Sequence, residues 1–265
     1  MTMLHTARKI TAATALLVVM AAGNAASAAE KLVGTYGEQR TVLAFKVPDT
    51  AAQKLLPEGW QASPPSTGPS KDANLNVVFV DVLTVQNPDG TPGETFRVVA
   101  LVVPVKKKGT DAVVPMVVGG FASTPSYVPG AYGNEDLASA TIDRHAHTDP
   151  TEKTNVEESW EFKGDGGGDA IGLQPQYDRG VATRSKAEVM PHSGVKPDFY
   201  RIYRIEQAAD VVRSTATSTD RAQKYAFKAT GAKLSPLFSG SEQLVGITSL
   251  PFYTRQVSLP EQVTQ

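Results

Sequence analysis

The 265-residue sequence carries 26 basic and 27 acidic side chains, four histidines and no cysteine. The missing cysteine excludes disulfides, thiolate metal sites and cysteine nucleophiles. The near-neutral charge argues against nucleic acid as a partner, because phosphate binding needs a basic surface.

Residues 1–28 read as a secretory signal peptide. "MTMLHTARK" is a basic leader, "ITAATALLVVMAAG" an apolar stretch, and "NAASAAEK" offers small residues for cleavage after Ala28 or Ala29. An uncleaved anchor is the alternative, but the stretch is shorter than the ~20 residues of a membrane span. Cleavage removes Arg8 and Lys9, which leaves 24 basic against 27 acidic side chains. The expected mature protein is one domain, residues 29–265, periplasmic or secreted, with no membrane span; a chain this long buries a full core without staples.

The elements that follow are mainly strands. "RTVLAFKV" (Arg40 to Val47) leads into a short helix, "AAQKLL", with Asp49 or Thr50 as its cap and Pro57 as its end. After a loop-like stretch, Ala62 to Asn74, come strands at Leu75 to Val85, Phe96 to Val105 and Ala112 to Val118, split by the turns "NPDGTPG" and "KKKGTD". Asn134 is placed to cap a second helix through "EDLASATI" (Glu135 to Ile142). Further strands are expected at Phe199 to Ile205 and Val245 to Leu259. Helices do not alternate with the strands, so a doubly wound sheet is excluded in favour of an α+β, mostly antiparallel barrel or sandwich with a few short peripheral helices.

The densest chemistry lies in "DRHAHTDPTEK", Asp143 to Lys153. His145 and His147 share one face of an extended segment and read either as two metal ligands or as solvated loop residues. Only His192 remains among the other histidines of the mature chain, so no metal or other cofactor is expected. "GDGGGD" (Gly164 to Asp169) lacks the ligand spacing of a calcium loop and reads as a hairpin connection. There is no G-x-S-x-G, G-x-G-x-x-G or P-loop motif.

Several segments, in order, resemble the acetoacetate decarboxylase superfamily: "RTVLAFKVPDTAAQKLLPEGW", "LNVVFVDV", "VVALVVPV", "YVPGAYGNEDLA" with the following "DR", "ATGAKLSPLF" and "LVGITSLPFYTRQVSLP". They cover the chain from about Arg40 to Pro260. The resemblance implies that family's β-rich fold, a homo-oligomeric assembly, and decarboxylation of a β-keto acid through a Schiff-base lysine with a depressed pKa. It places the family's arginine on Arg144 and its proline on Pro150, and its lysine pair then falls on Thr151 and Glu152, which form no imine. Lys153 lies one step further, turned to the opposite face unless a bulge intervenes. The carboxylate-binding arginine matches Arg40, the alternative for which is a surface arginine on an edge strand, and the two pocket glutamates fall on Val78 and Val98.

Two readings of function follow. One is an exported protein of this fold that binds a small apolar or keto-acid-like molecule through Arg40, Val78, Val98 and Arg144, without Schiff-base catalysis. The other is a lyase, of decarboxylase or hydratase type, acting on a keto acid or related carbonyl compound through Lys153 or through Glu152 and His145. A ligand-free accessory protein is a third.

Overall fold

A computed structural model describes residues 30–261. The expected signal peptide lies outside the described residues. In chain order the elements are β1 (Glu30–Lys46), α1 (Asp49–Lys54), β2 (Trp60–Ala62), β3 (Leu75–Gln86), β4 (Arg97–Lys107), β5 (Val113–Ala122), a 3-10 turn (Pro125–Tyr127), β6 (Glu135–Thr148), β7 (Thr154–Gly164), β8 (Ala170–Asp178), β9 (Thr183–Val189), β10 (His192–Ser193), β11 (Ile202–Ser214), β12 (Thr219–Asp220), β13 (Ala222–Thr230) and β14 (Gln243–Pro260). Among the described residues no helix is long and apolar enough to cross a membrane.

The strands hydrogen-bond in the order β12-β11-β14-β1-β3-β4-β5-β6-β7-β8-β13. Neighbours are antiparallel except β5 and β6, which run parallel over Gly120–Ala122 and Glu135–Leu137. β6 then leaves β5 and pairs with β7 from Ala138 to Thr148. One long strand thus carries the chain from the first half of the sheet into the second, which folds over onto it. Val77, Phe79, Val99, Leu101, Trp160, Phe162, Ile171 and Leu173 are buried in the main core between the halves.

Two sequence expectations change. The stretch Glu135 to Ile142 is the start of β6, not a helix capped by Asn134. Its local signals are outweighed by ladders to β5 on one side and β7 on the other, and Asn134 instead donates from Nδ2 to the Val117 carbonyl at 2.6 Å. The helix at Asp49–Lys54 does form, but Pro48 is its N-cap and no side chain caps it. Asp49 is drawn off to Lys46 and to Asn74 Nδ2.

The sheet also does not close into a barrel by hydrogen bonding. Its two ends, β12 and β13, are separated in the chain by Arg221 alone. The Arg221 N–H donates to Val212 O at 2.9 Å, and its carbonyl accepts from Asp178 N at 3.1 Å. Its guanidinium pairs with buried Asp210 and bonds the carbonyls of Asp178 and Val211. Backbone and side-chain bonds of this one residue therefore link β11 to β8 where the two ends of the sheet meet. Arg221→Met leaves Asp210 buried without its cation and is expected to lower the unfolding free energy by about 3 kcal/mol. Asp210→Asn in the same chain should recover part of that loss, as read by urea titration.

Candidate functional site

β3 and β4 are apolar on both faces. Val77, Phe79, Val99 and Leu101 enter the main core, while Val78, Val80, Val98 and Ala100 point the other way. That second face is covered by the connections around Tyr127, Tyr132 and Pro191 together with Val189 of β9 and Tyr203 of β11, and a cavity of about 220 Å³ remains beneath them. Arg40, Val78 and Val98, all singled out from the sequence, line it. Arg40 is not at an edge, since β1 lies between β14 and β3.

The polar end of this cavity is built on Glu38, whose side chain is fully buried. Arg40 donates from Nε to Glu38 Oε2 at 2.6 Å and Arg255 from Nε to Oε1 at 2.7 Å. Burial alone would raise the Glu38 pKa, but the two guanidinium charges outweigh it and hold the carboxyl below its ordinary value. Arg40 lies over the Tyr253 ring at 3.6 Å, and Arg255 lies between the rings of Tyr36 and Tyr203 at 4.8 and 4.6 Å. Two cations on one anion leave this end of the cavity with one positive charge in excess.

Arg255 reaches this cluster because of a bulge. Glu38 pairs with Tyr253 but Arg40 pairs with Leu250, so β14 gains a residue there. The inward positions switch from even numbers, Thr248 and Leu250 opposite Val42 and Arg40, to odd ones, Tyr253 and Arg255.

The lining also includes a second acid. Glu135, at the start of β6, is only 4% exposed, and no protein group bonds its Oε2. Burial pushes its pKa up to about 7, against the pull of the Asn134, Glu135 and Tyr132 N–H groups and of Arg201. The φ of +79° at Gly130 favours glycine, and a Cβ there would displace the Glu135 carboxylate packed against it. Beside it Tyr132 donates to Tyr203 through a 2.6 Å hydroxyl–hydroxyl bond.

The remaining sequence candidates stand elsewhere. Arg144 faces Glu158 and Asp81 at 3.5 Å each and stacks over Trp160 at 5.2 Å. It lines a smaller space of about 70 Å³ that also touches Arg40. His145 and His147 are exposed on β6, and among the described residues no group of three or more histidine, cysteine or carboxylate side chains gathers to hold a metal. Glu152 and Lys153 are exposed in the β6–β7 turn, where Asp149 Oδ1 accepts from the N–H groups of Thr151 and Lys153. β6 rises about 3.3 Å per residue, so roughly 40 Å of strand separates Glu135 from this turn. Thr148 pairs with Thr154 without a bulge that would swing Lys153 back. No lysine lines the cavity.

No family model matches the sequence, and no curated protein matches it. Solved structures do. The enduracididine biosynthesis enzyme MppR, complexed with pyruvate, superposes with a TM-score of 0.56 at 11% identity over 86% of this chain and 88% of that one. An acetoacetate decarboxylase-like enzyme from Sphingomonas wittichii RW1 gives 0.51 at 10% identity over 93% and 98%. The chain has the acetoacetate decarboxylase-like fold. At this identity the likeness extends to the fold and not to the chemistry. Within this decarboxylase-like sheet, Glu38, Arg255, Glu135, Tyr132 and Tyr203 were not picked out as site residues from the sequence; the available signal was charge at alternate positions of otherwise apolar strands, as in Glu38 two before Arg40.

Two stability predictions follow from the acids. Glu38→Gln removes the anion from between two guanidiniums and is expected to cost about 3–5 kcal/mol at pH 7. Because the folded Glu38 pKa is depressed, its contribution is lost as pH falls through that value, so wild type and variant should converge in acid urea titrations. Glu135 behaves in the opposite sense. Its folded pKa is raised, so the native state holds an extra proton between the ordinary carboxyl value and about 7, and stability falls as pH rises through that window. Glu135→Gln should therefore be more stable than wild type by about 3 kcal/mol at pH 8 and equal to it at pH 4.

Proposed function

We propose that this is an exported protein that binds a small carboxylate with an apolar or keto-acid body in the cavity between Arg40 and Glu135, without Schiff-base catalysis. The excess positive charge at the Glu38, Arg40 and Arg255 cluster carries the reading. A guanidinium lining a valine-rich space matches a carboxylate joined to a short carbon chain. Pyruvate, the ligand held by MppR, is of that class and of a size the cavity admits. The absence of a lysine from the lining supports binding without an imine. The lyase alternative relies on Lys153, or on Glu152 and His145, which stand exposed and do not line the cavity.

Saturation-transfer NMR and calorimetry with pyruvate, 2-oxobutyrate and acetoacetate, against their methyl esters, test the reading. The acids should bind and the esters should not. Arg40→Met keeps the Glu38–Arg255 pair and so keeps the fold, but should weaken binding by about 10- to 100-fold. Borohydride with any of the keto acids should leave the protein mass unchanged, and a reduced adduct on Lys153 would return the lyase reading.

A further inference from the structure

The residues that line the cavity fall into rows across the sheet. Arg40 on β1 pairs with Val80 on β3, and Val80 pairs with Val98 on β4, so these three share one row. The next row runs from Val78 through Ala100 to Gly120 on β5, and beyond it Val102 pairs with Val117. At about 3.4 Å per residue, Val98 and Val102 stand about 14 Å apart along β4. The lining therefore extends well past the row of Arg40.

The open part of the space lies over the rows beyond Arg40. Val80, Val82 and Val98 are buried, whereas Val78, Ala100 and Val102 keep part of their surface free where they line the cavity. Side-chain size explains the difference, because the middle row shrinks from valine to alanine to glycine and the floor drops there. Glu135 pairs with Gly120 at the end of this row but is only 4% exposed, with its carboxylate packed against Gly130. The surface offered over these rows is thus aliphatic, from Ala100, Val102, Pro115 and Val117 below and from Val189 and Pro191 above.

We propose that the ligand is a monocarboxylate with an unbranched aliphatic tail, about six to eight carbons in all, whose head group meets Arg40 and whose tail lies along Ala100 and Val102. The proposal rests on the carboxylate-binding reading above and names its substrate class. An apolar cavity of about 150 Å³ holds a benzene molecule, so on that scale about 220 Å³ has room for roughly nine non-hydrogen atoms. A volume of this size drawn out over two rows is narrow, which favours a straight chain over a branched one. Each methylene laid against the valines and Ala100 leaves water and should raise affinity about fourfold.

Calorimetry with unbranched acids from propanoate to decanoate, each against the primary alcohol of the same length, tests this. Affinity for the acids should rise about 3- to 4-fold per methylene up to about eight carbons and then level off, as further methylenes reach solvent. Ala100→Leu fills the row nearer Arg40 and should weaken octanoate by about 10-fold or more, bringing the limit down to shorter acids. Val102→Phe, one row further out, should bring it down by less, and urea titration checks that both variants are folded. Acids that bind with no dependence on length, or folded variants that both hold octanoate as wild type does, overturn the tail site alone. Absence of binding by every acid, or alcohols that bind as tightly as the acids, overturns the carboxylate reading together with it.

Discussion

Water is kept from both faces of β3 and β4, and most of the structure answers to that constraint. A strand with valine, leucine or phenylalanine at nearly every position needs a packed layer on each side. The second half of the sheet supplies one layer, through Trp160, Phe162, Ile171 and Leu173. On the other side, residues of β9, β11 and β14 (Val189, Tyr203, Tyr253 and Arg255) and the connections around Tyr127, Tyr132 and Pro191 form the cover, and a cavity is left beneath it.

Charges placed in that cavity are held by geometry that no single strand contains. Glu38 and Arg40 come from β1, Arg255 arrives from β14 beyond a bulge, and Glu135 begins β6 at the step where the two halves of the sheet meet. The cluster of one acid and two arginines is stable because the anion is shared and the guanidiniums rest on Tyr36, Tyr203 and Tyr253. The same cavity is lined by Glu135, a carboxyl that burial holds partly neutral near pH 7. The lining thus combines an excess cation with an acid of raised pKa among valines and tyrosines.

Long strands also explain why the segment richest in functional side chains is remote from this space. The two histidines, Glu152 and Lys153 lie at the far end of β6, which reaches well past the cavity into the second half of the sheet. There the β6–β7 turn is organised by Asp149, whose carboxylate accepts N–H groups within the turn. Density of reactive residue types along the chain did not translate into proximity in space.

Period-2 patterning and turn residues in the sequence determined the β-rich class, most strands on the first half of the sheet and the hairpin at Gly164 to Asp169, since these signals are local and a side chain two residues on returns to the same face, while Arg40, Val78 and Val98 were indicated by the family resemblance. The tertiary structure alone decided the rest. Glu135 to Ile142 became a strand because two neighbours were there to pair with it, and the two ends of the open sheet are joined through Arg221, whose backbone bonds both β11 and β8. Arg255 became a site residue because a bulge shifted the alternation of β14 by one, a change that costs one residue in one strand and leaves no mark in a hydrophobic pattern.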